Sequence, residues 1–468
     1  MEINTSITMG AFKHLFPDRA ITPEAGPAFQ AAQNQPWSQT CWQPAACYVQ
    51  LRSADEVSTA LEILRDTRLR FAIRSGGHNP NPGFNSTGEK GVVLDISGLQ
   101  TRKLSNDRSI ARIGAGNKWG DVYAWLEREG LSVVGGRDPE VGMGFLLGGG
   151  LGALPNLYGL GADCVENFEV PLPLVVALGY GRIVNANSTV NSDLYRALKG
   201  GGSSFGIVTR FDIRTFPLLK LQYNITLYKP DDYVNINQAT IDLQEAMEAD
   251  PHLGIFTNYN SAFAAVGLIH ASHEGDELNA LNAKHLGHLT SQITVACPTT
   301  TGTLASLANV MAHDVTDQKK RYIGTLTTKP SAALYADVYH AWQKALSMLP
   351  DNAILQYTIQ PVGSAAIRDG NIMGLFKTAQ CWWVFTCEWP DQNGTSDNAA
   401  RQALDFLKRE VEESARAKDL LLDQAVLRSY GRENYKAMQA AAREFDPERL
   451  FQRLQWGGFL LRGSEQSR

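Results

Sequence analysis

Arg74-Ser75-Gly76-Gly77-His78 is the stretch whose residue types could do chemistry. It follows the short apolar strand Phe71-Ala72-Ile73 and precedes a second one, Val92-Val93-Leu94-Asp95-Ile96. Two glycines between strands let the backbone turn tightly, and their missing Cβ atoms let N–H groups approach an anion closely. Such a nest suits a diphosphate. No Lys-Ser/Thr follows, so it is not a nucleotide-hydrolysing P-loop. His78 stands at the lip of the loop, where an imidazole can serve as ligand, base or nucleophile.

A second glycine-rich stretch runs from Gly135 to Gly152 and includes Arg137-Asp138-Pro139-Glu140-Val141-Gly142-Met143-Gly144 and Gly148-Gly149-Gly150. Leu147 occupies the third glycine position of a Rossmann pattern that would begin Gly142-x-Gly144, so dinucleotide binding of that type is not expected. The glycines instead suggest backbone lying along an extended ligand. A third group, Gly200-Gly201-Gly202, precedes Phe205-Gly206-Ile207-Val208-Thr209. The pairs His270/His273 and His285/His288 lack an acidic or cysteine partner at zinc spacing, and no metal site is expected.

The elements around these loops alternate between strand and helix. Ser53-Ala54-Asp55-Glu56 is a capping box that opens a helix to about Leu69, with Val57, Leu61 and Leu64 on one face. Ile110 to Ile113 is a strand, and Trp119 to Arg128 a helix closed by Gly130. Ser192 is expected to cap the helix Asp193 to Lys199. Arg210 to Thr215 alternates apolar and charged residues as a half-buried strand. From Tyr223 onward, strands such as Tyr223 to Tyr228, Ala353 to Gln360 and Trp382 to Cys387 alternate with amphipathic helices, among them Ala400 to Ala415. A last helix ends at Phe445, and Asp446-Pro447 is expected to open another as N-cap and N1.

Composition sets further bounds. The chain has 468 residues, long enough for two or more lobes, and 44% hydrophobic content. Net charge is -5, which leaves no basic footprint for nucleic acid. No run of ~18 apolar residues is present to span a membrane. Six cysteines form no Cys-x-x-Cys pair, and free buried thiols are expected. Met1 to Ala20 has no apolar h-region, which points to a cytoplasmic address despite five Asn-x-Ser/Thr sequons.

Arg-Ser-Gly-Gly-His after a strand, followed by Val-Val-Leu-Asp-Ile-Ser-Gly-Leu at 92 to 99, resembles the flavin-linking loop of the vanillyl-alcohol-oxidase flavoprotein superfamily. Within it the pattern is similar to the berberine-bridge-enzyme-like branch, and the likeness covers about residues 44 to 217. The resemblance implies an α+β, two-lobed fold. Residues 1–217 form an FAD-binding domain, 218–424 a substrate domain with an antiparallel sheet, and 425–468 return to the FAD-binding domain.

The resemblance also implies FAD held covalently through His78. Arg74, Ser75, Gly76, Gly77, Asn79, Asp138, Val141, Gly142, Gly148, Gly149, Gly150, Gly206, Ile207 and Asn434 match cofactor-contacting segments. Relatives that link flavin twice have a cysteine where this chain has Asp138, so His78 is the one expected link. Val141 resembles the oxygen-reactive form.

The implied reaction oxidises a C–H bond beside oxygen or nitrogen in a small aromatic or polycyclic substrate, passes hydride to flavin N5 and reduces O2 to H2O2. The sequence departs from the family twice. An apolar run, Pro171 to Leu178, stands where relatives continue straight into the strand beginning Gly181-Arg182. The short segment Asp419 to Gln424 lacks the tyrosine that serves relatives as base. Tyr357 and Tyr430 are the expected substitutes. Period-2 geometry puts Tyr357 and Gln360 on opposite faces of their strand, with Tyr357 expected toward the flavin.

Overall fold

The strand Arg70–Arg74 lies parallel to Gly91–Asp95, with Arg74 opposite Asp95. The glycine turn is therefore the start of a crossover and not of a hairpin, because parallel neighbours cannot be joined by a tight turn alone. The computed structural model describes residues 2–172, 182–272, 275–313, 318–390, 396–422 and 426–462. In it these strands belong to a four-stranded sheet ordered Ala20–Ile21, Cys47–Gln50, Gly91–Asp95, Arg70–Arg74. The helix Ala54–Thr67 starts where Ser53 accepts the Glu56 N–H at 3.2 Å, and it buries Val57, Leu61 and Leu64.

A second sheet is antiparallel and five-stranded, ordered Arg102–Leu104, Ile110–Gly114, Arg210–Arg214, Val165–Leu172, Arg182–Asn187. The Val165 strand continues through Pro171 and Leu172, paired with Ile183 and Arg182. The rest of the expected insertion lies outside the described residues. One apolar core joins both sheets. It runs from Phe12 to Ile213 and then takes Leu427, Met438, Phe445 and Phe451 from the returning C-terminal segment.

Between these stretches the chain builds an all-antiparallel, eight-stranded sheet. Its order is Gln292–Thr303, Lys220–Tyr228, Ala264–His270, Leu253–Tyr259, Ile354–Val362, Gln380–Trp389, Lys320–Thr328, Leu421–Leu422. Helices Tyr233–Ala249, Ala332–Leu346 and Asp397–Ala417 bury their apolar residues against one face in a second core. Leu404, Leu407 and Val411 lie in it, as the helical spacing predicts. The other face is turned toward the glycine-rich loops. None of the described helices is long and apolar enough to cross a membrane.

Two caps differ from expectation. Asn191, and not Ser192, precedes the helix Ser192–Leu198, in the left-handed region at φ 50°. Asp446 ends the helix Arg432–Phe445, and the next helix begins only at Leu450. Its carboxylate still accepts the Leu450 and Phe451 N–H groups at 2.6 and 3.0 Å, so it caps that helix across an intervening turn. All six cysteines are buried and free.

Candidate active site: a glycine cradle beside an enclosed histidine

The two glycine stretches meet back to back. A Cβ on Gly76 would lie 2.9 Å from the Gly142 backbone nitrogen, and one on Gly142 would lie 2.8 Å from that of Gly76. No other residue type permits this approach, so both loops present bare amide backbone at one place. Ser75 fastens the contact by donating from Oγ to the Ala115 carbonyl at 2.5 Å. Gly149 and Gly150 take φ values of +108° and +81°, where side chains are strained, and their carbonyls accept the N–H groups of Ala162 and Gly161. Beside Gly144 and Gly148 there is open space. These features fit an elongated phosphate-bearing cofactor carried on backbone amides.

Several residues expected at the cofactor do other work. Arg74 is fully buried and donates to the carbonyls of Asn85 and Ala32 and to Gln35 Oε1, with its guanidinium over the Tyr48 ring. It props the loop from behind. Asn79 Oδ1 accepts the Asn81 N–H at 2.9 Å and so shapes the following turn. The Gly206 position is closed by Val170, where a Cβ would sit at 2.5 Å, and the Ile207 side chain is core, leaving only their backbone to face a ligand. Asn434 is engaged by Arg196 at 2.7 Å and by the Tyr430 carbonyl at 2.8 Å.

His78 is held by parts of the chain that sequence proximity does not connect to it. Trp37 stacks on its ring at 4.3 Å and 11°, and Arg321 lies over the Trp37 ring at 4.3 Å. Arg321 is itself tied to Glu388 at 2.9 Å and to the Trp37 carbonyl at 2.8 Å, so the N-terminal segment is clamped to the large sheet. Asp138 Oδ2 lies 3.8 Å from His78 Nε2. The same oxygen accepts from His313 Nδ1 at 2.5 Å. Burial pushes His78 down to about 4, more than the nearby Asp138 charge raises it, so the imidazole is neutral at ordinary pH. A cavity of about 130 Å³ opens beside it, bordered by Trp37, Lys118, Glu140 and His313.

His313 was not foreseen. It lies two residues beyond the helix Leu304–Met311, carries no motif, and stands 175 positions from its partner Asp138. With it, His78 and Asp138 bring ligand atoms within 4.8 Å of one another, a set that can hold a cation. The sequence suggested no such group.

Neither tyrosine expected as base is placed for that role. Tyr357 faces the helices: it stacks on Tyr259 at 4.8 Å and 11°, is fully buried, and its hydroxyl has no hydrogen-bond partner among the described residues. Trp383 and Phe385 share that core with Tyr357, whereas Trp382 and Gln360, paired in register, look the other way. The sequence held the signal. Leu355, Tyr357 and Ile359 alternate with Gln356, Thr358 and Gln360, and the apolar set belongs to the helix-covered face. Tyr430 donates its hydroxyl to the Gly200 carbonyl at 3.1 Å, and burial raises it to about 12, so it holds its proton. Tyr357→Phe should leave the rate of flavin reduction at the wild-type value. The midpoint of thermal unfolding should hold or rise, because the change removes a buried polar atom that costs about 1–3 kcal/mol unpaired. A slowed reduction would return Tyr357 to the active site.

Arg137 occupies the seam between the lobes. It adjoins Asp138 in sequence, and its Nη2 donates to Gln360 Oε1 of the large sheet. Burial lowers it to about 10, which leaves it charged at neutral pH.

An amide cradle, a neutral imidazole beside it and a polar seam facing a second sheet fit a flavin held between the lobes with a substrate next to it. Residues 45–174 match the FAD binding domain family. An FAD-dependent monooxygenase of Arthrobotrys oligospora is 34% identical over 442 residues, covering 91% of this chain and 84% of that relative. The FAD-dependent monooxygenase macF of Penicillium terrestre is 34% identical over 456 residues, covering 92% and 84%. Among solved structures, berberine-bridge-enzyme-like 1 of Physcomitrella patens superposes with a TM-score of 0.77 at 17% identity, covering 94% of this chain and 97% of that one. Glucooligosaccharide oxidase of Acremonium strictum superposes at 0.76 and 18%, covering 95% and 96%. The chain belongs to the family of FAD-dependent oxidoreductases that these two fungal relatives represent, and its fold is that of the berberine-bridge-enzyme-like structures.

Proposed function

We propose that this protein is an oxidase that carries FAD covalently on His78 and dehydrogenates a small aromatic or polycyclic molecule at a C–H bond beside oxygen or nitrogen. The carrying observation is His78 itself, a neutral imidazole held by Trp37 at the lip of the Gly76–Gly142 cradle. A solved form of the Acremonium strictum oxidase is described with a 6-S-cysteinyl, 8α-N1-histidyl FAD. With Asp138 in place of a cysteine, the single link through His78 is the counterpart here. Bound FAD supplies the hydride acceptor, and O2 restores it with release of H2O2.

The residues of the chain supply position and charge. The cradle orders the diphosphate, Trp382 borders the seam with an indole face, and Gln360 with Arg137 receives the polar group of the substrate. A guanidinium beside a hydroxyl favours its ionised form. In this reading Arg137 stabilises the ionised hydroxyl, whose proton passes to solvent, without a dedicated tyrosine base.

The names of the two Arthrobotrys and Penicillium relatives favour a second reading, insertion of an oxygen atom. Both are separated by one experiment on enzyme with its substrate under ¹⁸O2. The oxidase gives H2O2 equal to the product formed and no label in the product. Label in the product, with peroxide falling short, would establish oxygen insertion. Failure of the substrate to bleach the flavin without air would instead favour a cyclisation with no net redox.

A further inference from the structure

His78 is one end of a three-residue chain. Its Nε2 faces Asp138 Oδ2 at 3.8 Å, and that oxygen is held by His313 Nδ1. The second oxygen, Asp138 Oδ1, accepts the Glu140 N–H at 2.8 Å, so the carboxylate is fixed on both sides. The Nε2 atoms of His78 and His313 are both enclosed, without a hydrogen-bond partner among the described residues. Trp37 sets the plane of the His78 ring by stacking and meets His313 edge-on at 5.1 Å. A nucleophile, a base within reach of it and a third group orienting the base form the arrangement that activates enzymic nucleophiles, and such contacts are often loose before the reaction partner binds.

We propose that Asp138, positioned by His313, is the general base that activates His78 to form its own bond to the flavin. The inference rests on the covalent reading above and adds what drives the bond. The nitrogen turned away from the carboxylate, Nδ1, bonds to the methyl carbon on C8 of the flavin, and one C–H bond of that methyl breaks. The His78 Nε2 proton passes to Asp138 and the methyl proton leaves. The two electrons of the broken bond enter the flavin ring and are passed to O2, which takes two protons and departs as H2O2. Histidine and flavin thus each lose one hydrogen and become joined.

Asp138 is ionised and able to accept a proton. Burial raises it, but the bond from His313, the Glu140 N–H and both imidazoles outweigh it and hold the carboxylate below its usual range. Glu140 also faces His78 and raises it, while His313 and Arg321 lower it. Glu140 is paired with Lys118 at 2.5 Å, which limits its reach. The His78 lone pair is therefore available above about pH 4.

The test is the rate of covalent incorporation when FAD is added to flavin-free protein, read as flavin retained after acid precipitation and as the mass of the His78 peptide. Non-covalent FAD binding, measured on the same samples, checks folding. Asp138→Asn should bind FAD yet link it ~10²-fold or more slowly, the usual share of a general base. Raising the pH should recover part of that loss, which a merely structural defect would not do. His313→Gln should slow linkage less, and Asp138→Glu should rescue in part.

Linkage at the wild-type rate in Asp138→Asn would overturn the assignment. So would stoichiometric zinc on flavin-free protein that His313→Gln abolishes while linkage in Asp138→Asn stays fast, since the cluster would then be a cation site. Wild-type protein with no covalent flavin would overturn the covalent reading itself, a result distinct from either.

Discussion

Replacing His78 by alanine is expected to abolish the covalent flavin completely while leaving the protein able to bind FAD. Acid-precipitated wild type should stay yellow, and its denatured band should fluoresce under ultraviolet light. The His78→Ala pellet should be colourless, with all FAD in the supernatant. The effect is total because the proposed bond has one donor: the family resemblance sets Asp138 at the position where doubly linked relatives carry cysteine, and a carboxylate does not form that bond. Binding survives because the amides of the two glycine loops do not depend on the imidazole. Their close approach is set by Gly76 and Gly142 and by the Ser75 bond to Ala115. Trp37 loses its stacking partner but keeps Arg321 on its ring, so the variant should still fold. Flavin retained covalently by His78→Ala would move the link elsewhere, and a peptide bearing flavin on cysteine would contradict the role given to Asp138.

Arg137→Met is expected to cut turnover ~10²–10³-fold, the usual loss when one preorganised charge-stabilising donor is removed. The covalent flavin content should be unchanged, because Arg137 contacts Gln360 and not His78. Stability separates this role from a structural one. Partial burial of a guanidinium carries a desolvation cost, and an apolar residue of similar length is often neutral or stabilising in its place. Unfolding of Arg137→Met should therefore occur at the wild-type temperature or higher, although activity collapses. Normal turnover with a lower unfolding temperature would make Arg137 a strut between the lobes. Equal losses of activity and flavin would place it in cofactor binding.

The parts of this protein legible in its sequence are those whose signal is local. A capping serine three residues before a glutamate, a helix closed by glycine and an alternating strand are each settled by neighbours within one turn or one pleat. Ser53, the helix Trp119–Arg128 and the strand Arg210–Arg214 stand where such rules put them. The glycine turn before His78 was legible in the same local way, whereas its link to a flavin came from resemblance to a family and its packing on Gly142 from the tertiary structure. Where a local rule left two outcomes, inference went astray. Period 2 separated Tyr357 from Gln360 but did not say which side the helices cover, and burial of the apolar set decided it.

The sequence by itself supplied a glycine-framed loop ending in histidine and, through its resemblance to a flavoprotein family, the expectation that FAD is carried there. It also determined that a sheet-and-helix lobe follows. Tertiary structure alone decided what surrounds the histidine. Trp37, Asp138 and His313 reach it from three separate stretches, Arg321 backs Trp37, and Gln360 meets Arg137 across 223 positions. Contacts of that kind leave no periodicity, because they arise when two lobes close on one another, and the burial driving that closure is indifferent to order along the chain.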